Sequence, residues 1–500
     1  MRLPLVAITA SAILGIGSQA DAFCGFYVGG AGAEMFNNAT EVVLMRHGTT
    51  TVLSMQNNYQ GPPEHFALVV PVPTVIRQSQ VKTLPRELFG KVDTLGAPRL
   101  VEYWEQDPCY VAPPRRPEEE QVYELDSVKP DAPEPDRGER REYHVQVEAK
   151  FSVGEYDIEV LSAQQSTGLD HWLRDHDYQI PPGAEPLLRP YVEQGTKWFV
   201  AKVDPKKVKF EKGMATLSPL RFHYDSPEFT LPIRLGLANS KGTQDLIVNI
   251  LAPDNARYEV ANYPNVTIPT NLAVNDTVRT RFGEFYAALF DHTVEQVPHA
   301  VVTEYSWDSG SCDPCPGPTL DADDLATLGA DVIDKLYKNV SSYTLTRLHA
   351  RYGKDLANDL VFRAVDPIGG GRGIPDAHGE ISMKVDHESS NNFQGRYVIL
   401  HAWTGAMTCQ SPVRGRWGGP PDQQIAMQAA TNLAFAPRGK VSLSSMVTED
   451  VPSIGLLAST PWHLGDPVRQ PQGCGCRAQG TAGSLGGLAV LGLMLRRRRR

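Results

Sequence analysis

Residues 145–153 alternate without a break, and that alternation constrains the fold more than any other stretch of the 500-residue chain. Val145, Val147, Ala149, Phe151 and Val153 are apolar, while Gln146, Glu148, Lys150 and Ser152 between them, like His144 before them, are polar. A two-residue period held this long marks a β-strand with one apolar and one wet face. Such a strand needs neighbours for its backbone groups and cover for its apolar face. Parity shifts across Gly154, after which Tyr156, Ile158 and Val160 resume the buried set, so the stretch predicts a hairpin that turns at the glycine.

Other segments repeat the theme. Glu41–Met45 and Thr49–Leu53 are β-branched runs around His47-Gly48 and predict a second hairpin. Phe66–Val70 is continuously apolar and is stopped by Pro71 and Pro73, as expected of a strand buried on both faces. Further strands are predicted at Lys197–Val203, around Val208 and Phe210, at Leu231–Leu237, at Asp245–Leu251, at Tyr343–Leu348 and at Tyr397–His401. Helical spacing appears at Leu84–Phe89 behind Pro85, at Leu169, Trp172 and Leu173, at Val278, Phe282, Phe285 and Leu289 with Asn275 or Asp276 as cap, and at Leu320–Tyr337. The expected fold class is α+β and β-rich, with antiparallel sheets and short interspersed helices. Composition divides it into an N-terminal β-rich part at 23–111, an acidic Pro-rich linker or insertion at 112–141, an α+β core at 142–310 and a Pro/Gly-rich C-terminal part of the body at 311–470.

The two ends read as addresses. Arg2, the apolar Leu3–Ile16 and Ala20-Asp21-Ala22 form a secretory signal peptide with cleavage between Ala22 and Phe23. At the other end, residues 473–500 run from Gly473-Cys474-Gly475-Cys476 through an apolar stretch to Arg496, Arg497, Arg498, Arg499 and Arg500. The arginines resist crossing a bilayer, so a transmembrane tail of this kind leaves them in the cytoplasm and the body outside. Between the ends, Phe23–Cys476 holds 41 basic and 57 acidic residues, a formal charge of −16. That field repels phosphate backbones and argues against nucleic-acid binding. In an oxidising compartment the body's Cys24, Cys109, Cys312, Cys315 and Cys409 default to disulfides. Cys24 with Cys109, and Cys312 with Cys315, are the expected pairs.

The Gly473–Cys476 motif, apolar stretch and Arg496–Arg500 cluster resemble the myxobacterial C-terminal sorting signal MYXO-CTERM. The resemblance implies Sec export, an inner-membrane intermediate, a membrane-embedded sorting protease, a modified Cys474 or Cys476, and display of the body at the outer membrane and cell surface. In the body, Tyr27-Val-Gly-Gly30, Asn57-Asn-Tyr-Gln-Gly-Pro-Pro63, Val101-Glu-Tyr-Trp-Glu105 leading to Cys109, and Val153-Gly-Glu-Tyr156 followed by Trp172-Leu173 resemble the exported bacterial family called domain of unknown function 2330, from Phe23 past Trp403. That family has no assigned activity, so it supplies no catalytic residue.

Local motifs for chemistry are few. Arg46-His47-Gly48-x-Thr50 is close to the nucleophile motif of histidine phosphatases, with His378 as a second imidazole, but Thr49–Val52 continues as strand where that chemistry needs a helix. Cys312-Asp313-Pro314-Cys315 has redox or half-zinc spacing, yet Pro314, Pro316 and Pro318 oppose the helix a redox pair requires, and a second C-x-x-C is missing from the body. Asp170-His171 and Asp175-His176-Asp177 read as a solvated helix end, and Gly369–Gly373 lacks the Lys-Ser/Thr of a phosphate loop. No cofactor or metal is called for. The chain reads as a cell-surface protein with a non-catalytic binding or structural role, its ligand a glycan or another envelope protein. The alternative is a surface hydrolase with dispersed catalytic residues.

Overall fold

The computed structural model describes residues 40–464, with strand pieces at 26–28 and 36–37, apart from 57–58, 61–66, 111–144, 177, 179–183, 212–213, 240–242, 338–339, 341, 354–357, 421–426 and 430–440. Its principal strands are β1 (Thr40–His47), β2 (Thr50–Gln56), β3 (Ala67–Val72), β4 (Arg99–Glu105), β5 (Val145–Val153), β6 (Tyr156–Ala163), β7 (Lys197–Val203), β8 (Leu220–Asp225), β9 (Gln244–Pro253), β10 (Val301–Asp308), β11 (Tyr343–Tyr352) and β12 (Arg396–His401). Its helices are α1 (Arg86–Gly96), α2 (Ser166–Asp175), α3 (Glu185–Glu193), α4 (Phe282–Gln296), α5 (Ala322–Leu325) and α6 (Asp331–Leu336). The chain is thus β-rich, with several antiparallel sheets and few short helices.

A large sheet runs through neighbours β10, β11, β9, β1, β2 and β8, and a second sheet through β3, β7, β6 and β5. Leu44, Leu53, Val248 and Leu348 of the first meet Val70, Ile158, Val160 and Phe199 of the second in one apolar layer. The outer face of the second sheet is covered by α2 and α3 through Leu169, Leu173 and Leu188. The outer face of the first is covered by α1 and α6 through Phe89, Val92 and Ile333. Helix α4 fills the space beside it with Phe285, Leu289 and Phe290, against Tyr397 and Ile399 of β12. Strands with helices on one side and a sheet on the other are buried on both faces, which is why 42–45 and 67–70 are apolar without alternation. Strands of the large sheet come from residues 40 to 394, so the compositional segments interleave within it.

Several expectations are corrected. The β5–β6 hairpin forms and turns at Gly154, whose φ of 58° suits glycine. The five apolar residues of β5, however, do not share one face. Register slips opposite Val160/Leu161, so Val147 pairs with Leu161 and Ala149 with Val160, leaving Glu148 as an extra residue. Val145 therefore packs under the helices while Phe151 packs between the sheets. Leu231–Leu237 is mostly a 3-10 turn at Arg234–Asn239, because Asp359 Oδ1 accepts from the backbone N–H of Ile233 (3.0 Å) and Arg234 (3.2 Å) and curls the chain. The Leu320–Tyr337 helix breaks at Gly329, whose φ is 146°; a Cβ there would lie 2.9 Å from Val52. Asn275 caps a separate 3-10 turn, Asp276–Thr280, and α4 starts after Arg281. The sheets are also not wholly antiparallel: β1 pairs with β9, and β4 with β12, in parallel.

The parallel β4–β12 pair also decides the disulfides. Both strands leave their sheet at the same end, so Cys109 after β4 meets the chain that follows β12 and is bonded to Cys409, with Cα atoms 5.4 Å apart. The expected Cys24–Cys109 pair therefore does not form, and Cys24 itself lies outside the described residues. Cys312–Cys315 closes its own loop as expected. Ala22, Phe23, Cys474, Cys476 and Arg496–Arg500 also lie outside the described residues. No helix among the described residues is long and apolar enough to cross a membrane.

Candidate functional site

The carboxyl end of the β4–β12 pair gathers ionisable groups that the sequence keeps far apart. Glu102 and His401 lie two positions out of register on the two strands and so share a face, and Arg279 reaches them from the turn that Asn275 caps by accepting from Thr277 N–H. Arg279 grips the carboxylate with Nε on Oε1 at 2.7 Å and Nη2 on Oε2 at 2.6 Å. His401 Nε2 meets Oε2 at 2.5 Å, and Trp104 stacks on the imidazole at 4.4 Å. Burial acts to raise the Glu102 carboxyl, but the bonds from Arg279 and His401 outweigh it and hold it below the ordinary range. An ionised Glu102 fixes the proton on Nε2, which leaves Nδ1 without a partner among the described residues. The side chains of His401 and Arg279 are 22% and 45% exposed, so the cluster faces solvent. It can offer an imidazole lone pair, a guanidinium edge and an aromatic ring to a ligand.

A second cluster is entirely internal. On β11, Arg347, His349 and Arg351 alternate toward the helices, and a bulge in β10 lets both Glu304 and Tyr305 face them. Glu304 accepts from Arg347 Nε and His349 Nδ1 at 2.7 Å each, and from Tyr286 Oη at 2.5 Å. Arg347 also donates to Asp93 at 2.7 Å, while Arg351 bridges Asp245 and Asp291. Phe290 stacks on His349 at 3.7 Å. Neither Glu304 nor Arg347 is exposed at all. This network locks α1 and α4 to the sheet and presents nothing to a ligand.

Its titration has a defined sign. Burial acts to raise the Glu304 carboxyl, but His349 and Arg347 overcome it and bring it to about 2. Burial acts to lower His349, and Glu304 and Asp245 overcome that and raise it. The unfolded values are roughly 4.3 for Glu and 6.5 for His. Glu304 thus contributes fully above its unfolded value, and its contribution is lost as pH falls toward 2. His349 contributes fully below its unfolded value, and its contribution is lost as pH rises through the raised folded value. Glu41, pushed well up by burial and then by Asp93, loses its contribution as pH rises from its unfolded value of roughly 4.3 through the raised folded one, which draws the maximum toward the acid end. Urea midpoints measured across the pH range should therefore peak at roughly pH 4.5–6.5 and fall on both sides. A midpoint that stays flat on the alkaline side would contradict a charged His349.

The residues singled out by motif sit elsewhere. Arg46 is buried in the β1–β2 hairpin, donating to Thr51 Oγ1 and Thr49 O at 2.8 Å and to Ser226 O at 3.0 Å, with Phe229 under its guanidinium. His47 stacks on Tyr337 at 4.0 Å, and Gly48 is the turn. His378 lies in an exposed loop whose backbone donates to Asp376 Oδ1, and among the described residues no hydrogen bond or ion pair joins it to Arg46 or His47. His176 stacks on Trp172 and ends α2, while Asp170 pairs with Arg174. Among the described residues no group of three His, Cys, Asp or Glu is placed to hold a metal ion. Glu102, Arg279 and His401 carried no local signal because they are separated by up to 299 positions. The one visible trace is the charge-alternating Arg347–Arg351, which reads as a wet strand face.

A match to DUF2330, described as an uncharacterized protein conserved in bacteria, spans residues 18–363. The chain belongs to this family. The DUF2330 match takes in β4, Glu102, Arg279, Glu304 and His349, and it ends before β12 and His401 rather than beyond Trp403. No curated protein and no solved structure matches the chain.

Proposed function

We propose that this DUF2330 protein is exported and displayed at the outer envelope, where its body binds a glycan or another envelope protein without catalysing a reaction. The observation that carries the reading is the bonded pair Cys109–Cys409, joined by Cys312–Cys315: such bonds persist in oxidising compartments and are rare in the cytosol. In this reading the Sec machinery passes the chain, the leader is cut at Ala22–Phe23, and a membrane-embedded protease acts on the Gly473–Arg500 tail. The solvent-facing Trp104–His401–Arg279 cluster is the contact surface. Fractionation tests it. The intact chain should appear in the surface fraction without its leader, and a chain lacking Gly473–Arg500 should be released. Full-length protein found soluble in the cytosol with its leader attached would overturn the reading.

One observation favours the hydrolase alternative. Glu102–His401 is an acid–imidazole pair with Nδ1 open to solvent, the arrangement of a general base. If the pair is catalytic, purified wild type turns over simple esters and His401→Ala lowers the rate by about 100-fold or more. An inactive wild type ends that reading.

A further inference from the structure

Four arginines are among the largest fully buried side chains: Arg99, Arg221, Arg347 and Arg396. Two have carboxylate partners, Arg221 with Asp331 and Arg347 with Asp93 and Glu304. Arg99 and Arg396 have none among the described residues, although buried cations are normally paired. They are also side by side. Arg396 pairs in register with Arg99 on β12 and β4, so both side chains leave the same face of the sheet, opposite to the face that carries Glu102 and His401.

Their partners are neutral. Arg99 donates from Nη1 to Pro314 O and from Nη2 to Leu95 O, both at 2.7 Å, and its Nε is buried with no partner. Arg396 donates from Nε to Asn271 Oδ1 at 2.8 Å, from Nη2 to Gly373 O at 2.8 Å and from Nη1 to Tyr103 Oη at 3.3 Å. Burial acts to lower both guanidinium groups, and Arg396 acts in the same direction on Arg99. Asp313 opposes this at longer range on both, but it is exposed and makes no ion pair with either. Two loops meet over the pair: the disulfide loop Cys312–Cys315, and the glycine-rich 369–373, which lies so close that a Cβ on Gly371 would be 1.9 Å from Gln394 O. The rim is open to solvent where Tyr103 Oη donates to Gly373 O at 3.2 Å.

We infer that Arg99 and Arg396 form an oxyanion site, entered at the Tyr103–Gly373 rim, that takes a phosphate or carboxylate group of a ligand. Two guanidinium-bearing side chains that leave one sheet face in register can both donate to either group, which accepts several charge-assisted bonds at once. The site stands independently of where the protein resides, and it gives an acidic chain one place for an anionic ligand.

The test uses the disulfide-bonded protein in oxyanion-free buffer at fixed ionic strength set with chloride. Inorganic phosphate and glucuronate, each added to about 10 mM, should raise the thermal midpoint by about 3 °C or more and saturate, while glucose should not. The larger of the two shifts identifies the group. Arg396→Gln should abolish the shift. If that variant does not fold, Arg396→Lys keeps the charge but loses the fork and should weaken apparent affinity about tenfold. No shift with either anion on folded wild type, or an unchanged shift in either variant, overturns the site and leaves the arginines as struts for the two loops.

Discussion

Replacing Glu304 with glutamine is expected to lower the unfolding free energy by about 3–5 kcal/mol. The carboxylate accepts from Arg347, His349 and Tyr286 where none of the three can reach water instead. Glutamine keeps the shape and one acceptor but leaves two cations facing a neutral amide. The damage comes from the stranded charges, since replacing a whole buried pair with well-packed apolar groups is often harmless. Arg347→Met alone should therefore be severe, and Arg347→Met combined with Glu304→Gln less so than the two single effects summed. Denaturant midpoints of the three variants check this. As a surface control, Glu284→Gln, which breaks the exposed Arg281 pair, should leave the midpoint unchanged. If Glu304→Gln behaves like that control, charge is not what ties α1 and α4 to the sheet.

The second large effect is loss of the Cys109–Cys409 bond. It spans 300 positions, and opening a loop that long restores much entropy to the unfolded chain, so the double Cys→Ser variant should lose about 2–5 kcal/mol. The Cys312–Cys315 ring spans three positions, and its removal should cost roughly 2 kcal/mol or less. There is also a local reason. Between β12 and Trp417 the chain makes no strand pairing; it is held by Cys409, by Glu105, which accepts from Arg414 and from the N–H groups of Trp403 and Gly415, and by Val413 and Arg416, which donate to the carbonyls of Pro108, Asp107 and Tyr110. Without the bond, this segment should become the first site of limited proteolysis, read by mapping the earliest fragments. Cleavage that starts elsewhere, with an unchanged midpoint, would show that the hydrogen bonds of Glu105, Val413 and Arg416 suffice to hold it.

Much of the architecture was legible in the sequence because strands announce themselves locally. The hairpins at Gly48 and Gly154 and the doubly buried run at 67–70 follow from side-chain period and β-branching, although Pro71 does not stop the strand, which runs on to Val72 against Trp198 and Lys197. What failed had a physical cause each time. The alternation of β5 could not reveal the extra residue at Glu148, because a bulge is set by the partner strand. Leu231–Leu237 has strand periodicity, and a carboxylate more than a hundred positions away bends it. The candidate site was unreadable for a similar reason: Val101–Glu105 resembles a family motif, but nothing near it says that Arg279 and His401 will meet Glu102.

The amino-acid sequence by itself determined most of the segments that become strands, many of the positions that face a core, and the net charge. Only tertiary structure decided which strands run parallel, and with that which cysteines bond, where Glu102 meets His401, and why Arg99 and Arg396 are buried side by side. Local preference is a property of neighbours along the chain, whereas charge pairing and disulfide choice depend on distances that the sheet sets across as many as 300 positions.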